Sequence, residues 1–265
     1  MDIPADAIHT LKGESNDSIS WSFATGDFVT AIALGHEIGA AYKTDGKLLT
    51  WGNLYQSGDY TNGSYTMLTN ISPSVFLQGD IDTVSLGYMH NALIKSDKPL
   101  WMWGRQYCGE FGVNSHQGTS LPIKVMDSVL YVSAGGQHTA FIKEDNTLWM
   151  CGRNDFGQLG DSSLITRMTP VKVLDNVIQV AAGWCTTYAI TSDYQLWGWG
   201  RNDKYQLGND TTTDSWQPTK LLDDVLFVTT SPTQCKWTAV IMKDHSLWIF
   251  GEDYHVPTKI LDNIC

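Results

Sequence analysis

Two histidines stand 48 residues apart in similar surroundings, His90 in HNALIK and His138 in HTAFIK. Imidazoles at matched positions could ligate a metal or carry a proton. A metal site needs further ligands at short spacing. No paired acid or cysteine follows either residue, and the equivalent positions elsewhere hold Ile38 and Thr186. The pattern predicts buried imidazoles, each hydrogen-bonded to the backbone of a neighbouring repeat. Four acids, Asp127, Asp175, Asp223 and Asp262, also recur in phase. Glycoside hydrolysis requires two carboxyl groups facing each other across one bond, whereas repeats spread equivalent acids apart. Each acid precedes Ser, Asn or Asp, which predicts a side-chain-capped turn.

The stretch CGRNDFGQLGD, residues 151–161, crowds glycines as a phosphate-binding loop does. Such a loop opens a helix and runs into a Lys-Ser/Thr pair. Here Gly160 leads into Asp161 and Ser162 with no helical pattern behind them. There is no GxSxG elbow, no HExxH and no kinase set. The expectation is a chain with no catalytic residue, no cofactor and no metal.

The elements that carry these residues repeat. LWMCGRNDFGQLG from Leu148 is echoed by LWGWGRNDKYQLG from Leu196, by LWMWGRQYCGEFG from Leu100, by LLTWGNLYQSG from Leu48 and by LWIFG from Leu247. The glycine closing the first part falls at Gly52, Gly104, Gly152, Gly200 and Gly251, spacings of 52, 48, 48 and 51. A proline-led block keeps the same period, PIKVMDSVLYVSAGG from Pro122 and PVKVLDNVIQVAAGW from Pro170. Alternating runs such as Val129 to Ala134 read as strands, Glu144-Asp145-Asn146 as a turn, and no helical period is sustained. The fold class is therefore all-β: a β-propeller of about five repeats of roughly 50 residues, with four short antiparallel strands per blade. The units are 29–80, 81–128, 129–176, 177–224 and 225–264 within a repeat domain 29–265. Residues 1–28 form an N-terminal extension able to add an outer strand through SISWSF. Five units either close as a small ring, the favoured expectation, or form an open arc. An open arc could close through a second copy, making a homo-oligomer.

Composition narrows the partners. A net charge of −11 in 265 residues, with 17 basic residues scattered along the chain, opposes nucleic-acid binding. No apolar stretch reaches membrane-spanning length, and the N-terminus lacks a signal-peptide pattern, which favours a cytoplasmic setting. The five cysteines are odd in number, widely spaced and without CxxC, which argues against a disulfide framework or a zinc site.

The three blocks together resemble the regulator-of-chromosome-condensation repeat. The copies that carry the likeness are Val177 to Gly183, His138-Thr139, Trp199-Gly200 and Asn154 to Gly160. The resemblance implies a propeller, seven-bladed in most characterised members against five units here. It also implies a structural role for His90, His138 and the repeat glycines. Gln158 and Gln206, in the glycine-rich turn, are expected to tie that turn down. Recognition is expected from loop aromatics: Tyr60, Tyr65, Trp184, Trp216 and Trp237. The leading functional expectation is a non-enzymatic protein-interaction scaffold. The alternatives are a guanine nucleotide exchange factor for a small GTPase, an activity of particular family members, and a carbohydrate-binding module.

Overall fold

The computed structural model describes residues 29–36, 38–43, 46, 48–52, 66–70, 81–234 and 236–264. The first blade comprises β1 (Val29–Leu34), β2 (Ile38–Lys43), β3 (Leu48–Gly52) and β4 (Thr66–Asn70). The second holds β5 (Ile81–Leu86), β6 (His90–Lys95), β7 (Leu100–Gly104) and β8 (Thr119–Met126). The third holds β9 (Val129–Ala134), β10 (His138–Lys143), β11 (Leu148–Gly152) and β12 (Arg167–Leu174). The fourth holds β13 (Val177–Ala182), β14 (Thr186–Thr191), β15 (Leu196–Gly200) and β16 (Ser215–Leu222). The fifth holds β17 (Val225–Thr230), β18 (Trp237–Met242), β19 (Leu247–Gly251) and β20 (Tyr254–Leu261). Each blade is one four-stranded antiparallel sheet in sequential order, so the molecule is a five-bladed β-propeller. The predicted extra strand SISWSF lies outside the described residues.

The register recurs from blade to blade. Phe141 lies between Val132 and Trp149, and its counterpart Ala189 lies between Val180 and Trp197. Blades stack face to face, so a middle strand is covered on both sides. That is why β6 and β14 are buried along their whole length, polar residues such as His90, Asn91, Thr186 and Thr187 included. Between the third and fourth blades, Ala140, Ile142, Leu148 and Met150 meet Val177, Val180, Ala189 and Trp199. Burying each large apolar side chain stabilises the pair by roughly 1.5–3 kcal/mol. Outer strands β8, β12, β16 and β20 each carry a proline, at Pro122, Pro170, Pro218 and Pro257. A residue without an N–H makes these edges poor templates for a further strand.

The up-and-down order divides the molecule into two unlike ends. One carries the links between first and second strands and those between third and fourth, long in the second, third and fourth blades and two residues in the fifth. Among the described residues the other carries tight turns, with left-handed residues at Lys98, Asn146, Tyr194 and His245 and at Ser128, Asn176 and Asp224. The turn cap expected at the recurring aspartates sits elsewhere. Asp145 Oδ1 accepts from the Thr147 N–H and hydroxyl, and Asp244 does the same for Ser246. Asp127, Asp175 and Asp223 instead pair with Lys124, Lys172 and Lys220 at 2.6–2.7 Å, and Asp262 pairs with Lys259. The residue after Asp127, Asp175 or Asp223 takes the left-handed turn, leaving the carboxylate beside the lysine three positions back.

Packing between blades runs in series from first to fifth. Among the described residues no comparable packing joins the fifth blade to the first, so the favoured expectation of closure is not confirmed.

Gly157 and Gly46 separate two contributions to turn stability. Both have positive φ, +75 and +80, but a Cβ on Gly157 would lie 2.7 Å from Trp216 Cα whereas Gly46 has nothing within 4 Å. Ala at either site incurs backbone strain of about 1–2 kcal/mol. Gly157→Ala should lose about 1–3 kcal/mol more through overpacking, read as a larger fall in denaturant midpoint. Equal losses would contradict the contact.

Candidate interaction surface

The loop-bearing end is fixed by a polar node at the blade junctions. The Thr187 hydroxyl, in the fourth blade, donates to the Gln158 carbonyl of the third at 2.8 Å. His138 Nε2 lies 2.9 Å from the same hydroxyl. Since the hydroxyl hydrogen is committed to the carbonyl, His138 donates through Nε2–H. One junction earlier, Thr139 donates to Glu110 O at 2.7 Å and stands 2.8 Å from His90 Nε2. The histidine partner is thus a hydroxyl of the next blade and not the expected backbone group. Trp199 Nε1 adds a second donor to Gln158 O at 3.0 Å, where Cys151 Sγ serves Glu110 O at 3.3 Å.

The glycine-rich stretch builds the loop that presents this carbonyl. Buried Asn154 accepts from the Leu159 N–H and donates to Asp161 and to the Ser163 carbonyl. Asn202 repeats this with Leu207, Asn209 and Thr211, and Gln106 accepts from the Phe111 N–H. Gln158 Oε1 accepts from the Phe156 N–H and Gln206 Oε1 from the Lys204 N–H. Gln206 O is served from its own blade by the Tyr188 hydroxyl at 2.6 Å. Gly152 closes the loop's first end with φ +108, since a Cβ there would meet Gln137 O at 2.6 Å. Gly104, Gly200 and Gly251 end β7, β15 and β19 in the same left-handed region, and Gly52 ends β3.

Trp184 occupies the inner rim of this end. His36, Tyr88, Gly136 and Trp184 each follow the glycine after an inner strand, and backbone bonds join successive links. The His36 N–H donates to Gly87 O at 3.3 Å, Tyr88 N–H to Gly135 O at 3.1 Å and Gly136 N–H to Gly183 O at 2.9 Å. The Tyr88 ring meets His36 at 4.3 Å and the Trp184 edge at 4.4 Å. Gly136 makes that reach possible, because a Cβ there would lie 2.4 Å from Trp184 O and 3.0 Å from its ring. Tyr88 and His36 were not anticipated from sequence, although both share the repeat position of Trp184.

Trp216, second in β16, is about half exposed and lies over Gly157 of the preceding blade. Trp237 begins β18 and is 51% exposed. Both stand at the loop-bearing end, as does exposed Tyr107. Tyr60 and Tyr65 lie outside the described residues. Arg153 pairs with Asp155 and Arg201 with Asp203 at 2.6 Å, and Arg201 covers the Phe156 ring. Exposed pairs of this kind contribute only about 0–1 kcal/mol.

Burial governs the ionisable groups. Desolvation lowers His90 to about 3, with His138 adding repulsion, and lowers His138 to about 4. The Nδ1 atoms of both rings have no partner among the described residues, as suits neutral imidazoles. Burial raises Glu110, which stands where Gln158 and Gln206 stand in later blades. It also pushes the Cys151 and Cys108 thiols up, away from the reactive thiolate. Among the described residues no group of three or more His, Cys, Asp or Glu is placed to hold a metal. None forms a helix long and apolar enough to cross a membrane.

Two family models of the regulator of chromosome condensation repeat match the chain, one at residues 129–158 and 177–206, the other at 145–190 and 193–240. No curated protein matches it in sequence. Among solved structures, yeast RCC1 (Prp20) bound by Kap60 is similar with a TM-score of 0.77 at 20% identity, over 89% of this chain and 62% of that one. Human WBSCR16 gives 0.77 at 20%, over 91% and 68%. Prp20p of Saccharomyces cerevisiae, in a structure concerned with its binding to Gsp1p and histones, gives 0.75 at 18%, over 89% and 64%. The chain spans less than two thirds of the yeast protein's length. At these identities the likeness is one of fold.

The buried groups give two tests. A histidine pKa lowered on folding contributes stability above pH 6.5 that is lost as pH falls towards the folded values. Between pH 6.5 and about 4 each histidine should remove about 1.4 kcal/mol per pH unit, seen as falling urea midpoints and proton uptake on unfolding. A flat profile would contradict their burial as neutral groups. Glu110 has the opposite sign: its raised pKa favours folding below its unfolded value and weakens it as pH rises through the folded one. Glu110→Gln should therefore stabilise at pH 7 by about 1–3 kcal/mol, with the gain shrinking towards pH 4. A gain independent of pH would contradict an ionisable origin.

Proposed function

For a chain built from regulator of chromosome condensation repeats, we propose the role of a protein-interaction scaffold that engages its partner through the loop-bearing end. The observation that carries this reading is the unlike construction of the two ends. The turn end is closed by short capped turns. The loop end carries the His36–Tyr88–Trp184 cluster, exposed Tyr107, Trp216 and Trp237, and the arginines at 153 and 201. Aromatic and arginine side chains dominate interface energetics, and loops on a rigid scaffold vary without loss of the fold. The similar yeast protein is bound by Kap60 in one structure and studied for binding to Gsp1p and histones in another, which supports a protein partner.

Photoreactive phenylalanine placed singly at Tyr107, Trp216, Glu144 or Tyr194 tests the assignment in extracts of the source cells. The first two positions should cross-link one protein partner at least about tenfold more efficiently than the last two, which lie on the turn end. Trp184→Ala should reduce that yield by at least about tenfold, the effect of losing an aromatic anchor. Equal capture from both ends, or capture from the turn end, would overturn the proposal.

A further inference from the structure

The four internal junctions reuse one pair of half-surfaces. The trailing half is represented in the third blade by Ala140, Ile142, Leu148 and Met150, and the leading half in the fourth by Val177, Val180, Ala182 and Trp199. Equivalent residues meet at the other three junctions. Among the described residues each half is left open once. The fifth blade's trailing half, Ala239, Ile241, Leu247 and Ile249, is only partly buried, where Ala140, Ile142, Leu148 and Met150 are fully covered. The first blade's leading half shows Ile32 at 61% exposure and Leu34 at 73%, against 1% for Val180 and 4% for Ala182 in the same positions.

The polar register is also left half-made. At internal junctions the Ala134 and Ala182 N–H groups donate to Ser85 and Ser133 hydroxyls of the preceding blade at 2.9 Å. Exposed Thr229 occupies the serine position in the fifth blade, and Leu34 the alanine position in the first. Sizes are matched as well. The fifth blade places Trp237 where earlier blades place His90 and His138. The first blade places buried Gly39 where their threonine partners stand. A bulkier residue on one end thus meets a position with no side chain on the other.

We propose that these two open faces bind a second copy of the chain head to tail, the trailing face of one fifth blade against the leading face of the partner's first blade. The occupant follows from the internal junctions, because another copy carries at its opposite end the half-surface that each end lacks. The contact is heterologous, so it leaves one free face at each end of the pair and can extend. Of the residues named for the loop end it shares Trp237 alone, which begins β18 beside the open face, and its test reads self-association and not capture of another protein.

Sedimentation of the full chain over a hundredfold concentration range should show reversible association. Ile32→Asp and Trp237→Asp, both at exposed positions, should each weaken self-association by about tenfold or more with unchanged melting of the single chain. Mixing the two variants should restore a one-to-one heterodimer that grows no further, since each retains one intact face. A wild-type chain that stays monomeric would overturn the proposal, whether its faces close on each other or are covered by residues 1–28. Association that either variant leaves intact, or that mixing fails to restore, would also overturn it.

Discussion

A threonine hydroxyl shared between two blades organises the centre of this molecule. Thr187 accepts from His138 and donates to Gln158 O, so one side chain of the fourth blade ties together two separate segments of the third. A buried hydroxyl with both roles filled is stabilising, whereas loss of either partner leaves a desolvated polar group. The requirement spreads outward. The histidine must be neutral and hold its proton on Nε2. The glycine-rich loop must bring its carbonyl to the junction. Asn154 must brace that loop from within. Where the histidine gives way to Thr186 in the fourth blade, the junction is held differently, by Phe250 packed edge-on to Tyr188 and Tyr205 stacked on His255, while the Tyr188 hydroxyl serves Gln206 O within its own blade.

The period of the sequence was enough to read the sheet order, because strand, turn and glycine recur at matched spacing and only a blade satisfies all of them. Gly157 and Gly160 were legible as backbone requirements for the same reason. What joins one repeat to the next was less legible. The partner of His138 is 49 residues away, and nothing beside the histidine marks it. The aromatic cluster was missed because Tyr88 and His36 are ordinary residues in their own loops. They become neighbours of Trp184 only when blades stack, and only because Gly136 leaves its space empty. Closure was not legible at all. It depends on the angle between packed sheets, which small differences in side-chain volume set at each junction.

The two ends of the blades serve separate demands. At the turn end the recurring Asp-Lys pairs, the Asp145 and Asp244 caps and the left-handed residues keep connections short. At the loop end the same rigid frame tolerates exposed aromatic side chains and ion pairs that contribute little to folding. The free faces of the terminal blades present a third kind of surface, apolar and shaped by the internal junctions themselves. Stability and recognition therefore draw on one repeated contact, filled inside the chain and unfilled at its limits.

A double-mutant cycle on His138→Ala and Thr187→Ala, measured by equilibrium unfolding at pH 7, tests the shared hydroxyl directly. If the two side chains act as one junction, their effects are non-additive, with a coupling energy of about 1 kcal/mol or more. Additive losses would show that each residue stabilises its own blade alone, contradicting the account of blades held together through that hydroxyl.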